Sequence, residues 1–435
     1  MRHDLLDALA ARPALHRAGL ALLCAAAVVL AWQATTRSVD FPVYYRAAAD
    51  VLAGRYDVYP ASMPDGSVPP HGFRYAPAIA LLMAPLALVP LEAGAFALFL
   101  AKLAALAYMS KVVARWCGRS DDWKRMGVLG FLVCAGYAAE EMRYGNIQLL
   151  CVAALVMAFD GAMRRRVVVP AGALALAVAA KLAPLILWPL LLWRRAWGAA
   201  LACLVALGML AVAPAAIVGH AANVRLLARF TAYAREKVDE QDNFAWRGVV
   251  DRAFDAAGGL QEPASPRPVP LPATLLWLAG SACLMVATWA ALRTPAQDGR
   301  VLMLELSLVL TLMLLVSPHT QRRYFVTLFV PSVTLLAISA GECSLPERTR
   351  TWIRRGQLGI LLPGTVLPAL FAGHVLSRLY QFLSVYFFGA LVLFIALVVT
   401  IRDLKRQWPS TSSAPESAAS AHNVGPTSRA RPTTA

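Results

Sequence analysis

The stretch that settles the topology runs from Arg164 to Arg195: RRRVVVPAGALALAVAAKLAPLILWPLLLWRR. Read as one helix, its apolar centre, 167–193, would be roughly 40 Å long, well beyond a hydrocarbon core of about 30 Å. It would also carry Arg194 and Arg195 to the opposite side of a membrane from Arg164, Arg165 and Arg166. Lys and Arg favour the cytoplasmic side, so that arrangement is disfavoured. Two short segments meeting near Lys181 keep both clusters inside, and Pro184 and Pro189 agree with a break just after the lysine.

The same logic extends along the chain. Its 435 residues are 59% hydrophobic and 15% charged, where a soluble protein carries about 25% charged residues. Together with a mean hydropathy of +0.58, this makes it an all-α polytopic membrane protein. The net charge of +16 comes from Arg and Lys at the ends of apolar runs, a membrane distribution rather than a nucleic-acid surface. The seven cysteines fall in apolar runs or in segments placed in the cytoplasm, and form no disulfide framework. The basic residues 1–17 lead into an uncleaved first span, 18–34.

An outer loop, 35–75, follows that span. Within it, Pro42 to Ala53 reads as an amphipathic helix, with Val43, Tyr44, Ala47, Ala48, Val51 and Leu52 at helical spacing and Gly54 as its stop. The next apolar run, 75–90, is about 24 Å long as a helix and lies along the membrane. If it crossed, Arg164–Arg166 would be exported. Spans then fall at 93–113, 126–140, 146–163, the two halves of 167–193, 196–218, 271–292, 301–316, 323–341, 357–372 and 382–401. That makes about twelve, with both termini inside. An inner loop holds Arg348, Arg350, Arg354 and Arg355. A second outer segment, 219–270, holds an interfacial helix from Ala221 to Val238, a polar turn from Glu236 to Asn243 and a proline-rich connector from Pro263 to Pro272. Residues 18–401 form one membrane domain, and the tail from 402 is polar and, from Trp408, disordered.

Under this topology the unusual polar residues gather at one boundary of the membrane. Asp40, Tyr44, Tyr75, Asn146, Gln148, Lys181, Asn243, Arg247, His319, Arg322 and Arg323 lie there, with Glu140, Glu141 and Arg143. Polar groups at a membrane persist with partners or water, so a cavity open to the outer side is expected. No nucleotide, metal or paired-cysteine motif is present. A carboxylate can take a proton from an attacking hydroxyl, and Lys, Arg and His can stabilise a departing phosphate. That chemistry suits sugar transfer from a phospholipid carrier with no cofactor.

Each residue also has a plainer reading. Asp40 stands where helix starts favour an acid, and Asp57, Asp65 and Glu140 are rival bases. Lys181 is able to snorkel, His319 to cap a span, and Arg322 and Arg323 to pair with Glu140, Glu141 or acidic lipid. Asn146 and Gln148 are suited to a helix start, and Tyr44 and Tyr75 to an interfacial belt.

The run DFPVYYRAAADVLAGRYDVY (40–59), then FRYAPAIALLMAPLALVP (73–90), resembles glycosyltransferase family 87. GNIQLL (145–150), KLAPL (181–185), DNFAWRG (242–248) and SPH (317–319) follow in the family's order, so the resemblance covers roughly residues 18–340. It implies a GT-C-like bundle and a polyprenol-phosphate-mannose-dependent mannosyltransferase with Asp40 as base. The chain departs from the family at Asn146–Gln148 and at Phe244–Trp246, changes that bear on sugar or acceptor.

The expectation is an inverting glycosyltransferase of the inner (cytoplasmic) membrane, active on its outer face. Its donor is a polyprenyl-phosphate sugar, mannose in view of the resemblance, and its acceptor a glycolipid or glycan hydroxyl. Lys181, His319, Arg322 and Arg323 would hold the donor phosphate. Tyr44, Tyr75, Asn146, Gln148, Asn243 and Arg247 would contact substrate. The alternative is a transporter or flippase of an anionic lipid-linked substrate, which would usually show internal repeats; none is visible.

Overall fold

The computed structural model describes residues 13–59, 72–235, 243–254, 270–295, 298–341, 345–366 and 383–407. Asp65, most of the polar turn, residues 263–269 of the connector, residues 367–372 of one expected span and the tail from Trp408 lie outside them. Among the described residues all regular structure is helical.

Helix α1 (Pro13–Thr36) leads through a short turn into α2 (Phe41–Leu52), the amphipathic helix read from the apolar stripe. Its buried face, Phe41, Tyr44, Ala47 and Ala48, shares a core with Ile79 and Ala80 of α3 (Pro77–Met83). A 3-10 turn, Ala84–Leu88, extends α3 to about 20 Å in all. That is too short to cross about 30 Å of hydrocarbon, in agreement with the reading of 75–90.

Helix α4 (Leu91–Trp116) is a full-length membrane helix. Next come α5 (Trp123–Val133) and α6 (Ala135–Tyr144). The chain then turns through 113° into α7 (Gln148–Met163). Gly145, at φ 70°, makes that turn. A Cβ there would lie 2.7 Å from the Phe41 Cβ as well as against the Ser38 hydroxyl. Glycine is therefore required on both conformational and steric grounds.

Helix α8 (Val168–Ala180) ends at Lys181, whose backbone is extended at φ −151°, ψ 136°. A 3-10 turn, Ala183–Ile186, and α9 (Leu187–Trp193) follow. The break falls where the charge argument put it. Arg165, Arg166, Arg194 and Arg195 line one cavity, so both basic clusters occupy the same end of the bundle.

Helix α10 (Trp197–Val212), continued by Ala215–Val218, turns Leu201, Val205, Met209 and Val212 outward. This exposed apolar face suits lipid. Then come α11 (His220–Arg235), α12 (Trp246–Phe254) and α13 (Leu271–Leu292). Helix α14 (Gly299–Val316) is buried at every position from Val301 to Leu315. A helix buried on all faces and mostly apolar belongs at the centre of a bundle, and this one is there. Helix α15 (Phe329–Ser339) follows a 3-10 turn, Arg322–Leu328.

Helices α16 (Glu347–Leu361) and α17 (Val385–Gln407) close the described chain. Gly359 and Gly389 let their backbones approach closely, the small-residue packing common between membrane helices. The arginines expected in an inner loop, Arg348, Arg350, Arg354 and Arg355, instead lie within α16. Thr349, Ile353, Gly356 and Ile360 form its buried stripe, so the helix starts earlier with the arginines off that face. Among the described residues five helices are long and apolar enough to cross a membrane, or six with the bent pair α6–α7. The protein is thus multi-pass, and Pro77–Leu88, Val168–Ala180 and Ala183–Trp193 are shorter apolar helices.

Candidate active site

Four separated segments meet around Asp40. The backbone N–H groups of Val39 and Asp40 donate to the Tyr144 carbonyl at 3.2 and 2.8 Å, and the Ser38 hydroxyl donates to it at 3.1 Å. The end of α6 therefore holds the turn before α2. Asp40 sits at the N-cap of α2 and makes no side-chain capping bond, so its carboxylate projects away from the helix start.

Oδ2 of that carboxylate is engaged twice. It accepts from Asn146 Nδ2 at 2.7 Å and lies 3.2 Å from Arg323 Nε in an ion pair. Oδ1 has no hydrogen bond among the described residues. Asn146 Oδ1 accepts from Lys181 Nζ at 3.1 Å and from the Gln148 N–H at 3.0 Å. Lys181 donates also to Gln148 Oε1 at 2.8 Å and lies 3.6 Å from the centre of the Tyr324 ring. Gln148 is fixed in turn by donating Nε2 to Thr327 Oγ1 at 2.9 Å. The extended backbone at Lys181 thus turns a would-be snorkelling lysine into the protein.

Beneath this layer lies a pair that the sequence reading missed. Lys102 and Glu141, at 1% and 0% exposure, are 3.3 Å apart. Glu141 Oε1 also accepts the N–H of Leu149 at the start of α7. A single lysine in the apolar run LAKLAAL was the available signal, because a charge inside a membrane helix demands a partner.

His319 follows α14. Burial first, then the charges of Arg323, Arg74 and Lys181, push its pKa down to about 4. It is therefore neutral near pH 7, and its Nε2 is buried without a hydrogen-bond partner among the described residues. Arg74, another residue the reading passed over although it sits beside Tyr75, has no ion pair among the described residues.

The other expected residues divide. Tyr44 and Tyr75 share a hydrogen bond at 2.6 Å, and burial pushes both phenols well above their ordinary pKa, with Asp40 adding to the effect. They pack beside the acid as neutral hydroxyls. Arg322 pairs with Glu140 at 3.0 Å, the plainer of its two readings. Asn243 is buried, and both ends of its amide are bonded to backbone groups. It donates to the Pro318 carbonyl at 2.8 Å and accepts from the N–H groups of Thr320 and Ala245. Those bonds clamp the His319 turn. Arg247 pairs with Asp251 at 2.8 Å and lies over Trp277, apart from the Asp40 cluster. Of the rival acids, Asp57 pairs with Arg229 of α11.

Residues 73–318, more than half the chain, match the profile of glycosyltransferase family 87. Asp40 and α2 precede the matched stretch. A solved structure, ArnT from Cupriavidus metallidurans bound to undecaprenyl phosphate, aligns with a TM-score of 0.41 at 14% identity, over 88% of this chain and 77% of that one. The comparison with curated proteins returns no match.

Proposed function

We propose, from the premise that this chain belongs to glycosyltransferase family 87, that it moves a sugar, mannose, from a polyprenyl-phosphate carrier to an acceptor hydroxyl on the outer face of the membrane. The observation that carries this reading is the state of Asp40: one carboxylate oxygen fixed by Asn146 and Arg323, the other uncommitted, with Lys181 one amide away.

The acceptor oxygen attacks the anomeric carbon from the side opposite the phosphate, and configuration inverts. Its proton passes to Asp40 Oδ1. The bond from the anomeric carbon to the phosphate oxygen breaks, and its electron pair leaves with the polyprenyl phosphate. The leaving group gains negative charge as it departs, so fixed cations favour the transition state over the bound donor. Lys181, Arg323 and Arg74 supply that charge, and His319 supplies a neutral N–H. Tyr44 and Tyr75 pack beside Asp40, and Gln148 and Asn243 hold Lys181 and His319 in place. Arg322 and Arg247, already paired with carboxylates, serve the walls. The reaction needs no cofactor, and family membership sets the transporter reading aside.

The test is transfer from labelled polyprenyl-phosphate mannose in membranes containing Asp40→Asn protein. The amide can still accept from Asn146 but takes no proton, so transfer should fall by about 10²–10⁴-fold, the usual worth of a general base. Transfer at the normal rate would remove Asp40 from the role.

A further inference from the structure

A cavity lies at the other end of the bundle from Asp40, and glycosyl transfer makes no use of it. Lys181 follows the last residue of α8, while Arg165 and Arg166 precede its first. Its 13 residues put about 20 Å between the two ends. The cavity has a volume of about 820 Å³, and its lining holds four arginines and no acid.

Three of those arginines carry unbalanced charge. Arg194 is 6% exposed and pairs with the buried Glu305, which Lys405 also reaches at 2.8 Å. Arg165, Arg166 and Arg195 have no ion pair among the described residues and are exposed. The cavity also takes in Trp197, Gly198 and Ala199, the first three residues of the 16-residue helix α10. Their N–H groups have no intrahelical carbonyl to meet, and a helix start of this kind favours an anion.

The backbone adds an independent observation. Arg165 and Arg195 adopt φ 57° and 55°, and Ser384 is the one other non-glycine residue with positive φ among the described residues. Each arginine occupies the turn after a helix, α7 or α9, where glycine fits without strain. Glycine would satisfy both turns but would bring no charge to the cavity. Beside the arginines, Val168 and Trp197 are 82% and 61% exposed. Exposed apolar and tryptophan side chains next to cations mark the headgroup level of a bilayer.

We propose that this cavity binds the phosphate of an anionic phospholipid headgroup. The ligand chemistry is a phosphate-bearing anion, and the apolar rim assigns it to membrane lipid rather than to free phosphate. The proposal stands independently of the glycosyl-transfer reading.

The experiment uses the full chain in nanodiscs of mixed phosphatidylglycerol and phosphatidylcholine, with lipid retained after delipidation counted by native mass spectrometry. Arg165→Gly/Arg195→Gly removes two cations while giving both turns their preferred residue, so the thermal midpoint should hold or rise. Wild type should retain phosphatidylglycerol over phosphatidylcholine by about tenfold or more, and the double variant should lose that preference, two cations being worth roughly that much attraction. Millimolar inorganic phosphate should leave the retained lipid in place. Absence of preference in wild type would overturn the proposal, as would an unchanged preference in the variant. Displacement by inorganic phosphate alone would also overturn it, and would point to a soluble anion. The wild-type comparison stands even if the variant fails to fold.

Discussion

Asp40 and Lys181 stand one amide group apart: Asn146 donates to the carboxylate at 2.7 Å and accepts from the ammonium at 3.1 Å. The acid and the cation are thus held in fixed relation without neutralising each other directly. Asn146→Ala should lower kcat by roughly 10–100-fold through lost positioning. Asn146→Asp should be worse, although it still offers Lys181 an acceptor. It would set two carboxylates at hydrogen-bond distance, where they share a proton, and the base would be compromised. The check is kcat with a lipid-linked donor for both variants; an aspartate variant as active as wild type would contradict the arrangement.

Adjacent arginines should differ in effect. Arg323 lies against Asp40 Oδ2 and over the Tyr144 ring at 4.5 Å, whereas Arg322 is held by Glu140. Arg323→Gln removes a cation from the reacting centre and should cost about 100-fold or more in kcat/KM. Arg322→Gln breaks a partly exposed pair and should cost less than about tenfold. Equal losses would show that the two guanidiniums share one task.

Much of this was legible in the sequence, and the limits have physical causes. Charge parity located the break at Lys181, because exporting either basic cluster is costly however the helices pack. The stripe from Val43 to Leu52 pointed to α2, since apolar residues at helical spacing are read locally. Pairings such as Asp40 with Arg323, or Arg322 with Glu140, depend on which helix ends meet, and local pattern does not encode that. The hydrogen bonds of Asn243 were illegible for a related reason. A buried amide and a substrate contact look alike in sequence, and only the carbonyl and N–H groups of the 318–320 turn tell them apart.

The pair Lys102–Glu141 supports the site from below, and its two members should not be equivalent to their double replacement. Lys102→Met leaves Glu141 buried without its counter-charge, a loss of about 3–5 kcal/mol. Adding Glu141→Gln removes the orphaned charge while keeping an acceptor for the Leu149 N–H, so most of that loss should be recovered. Thermal unfolding of both proteins in the same detergent decides it. A double variant no more stable than Lys102→Met would mean that the pair's geometry, rather than its charge balance, holds α4 against α6.

His319 gives the pH prediction. Burial and three neighbouring cations lower its pKa to about 4, against an ordinary value of about 6.5. Between those values the unfolded chain binds more protons here than the folded one, so stability rises with pH across that window and falls as pH drops through it. A bound phosphodiester acts in the opposite sense, because an anion favours the imidazolium. Donor binding should then take up a proton as pH falls. The donor Kd should tighten between about pH 7 and pH 5, a range in which a phosphodiester itself does not titrate. His319→Gln keeps a neutral donor but cannot charge, so its Kd should be flat across the range and its thermal midpoint less sensitive to acid. Donor titrations of both proteins at several pH values provide the measurement. The same slope in both would place the titrating group elsewhere and leave His319 a neutral part of the wall.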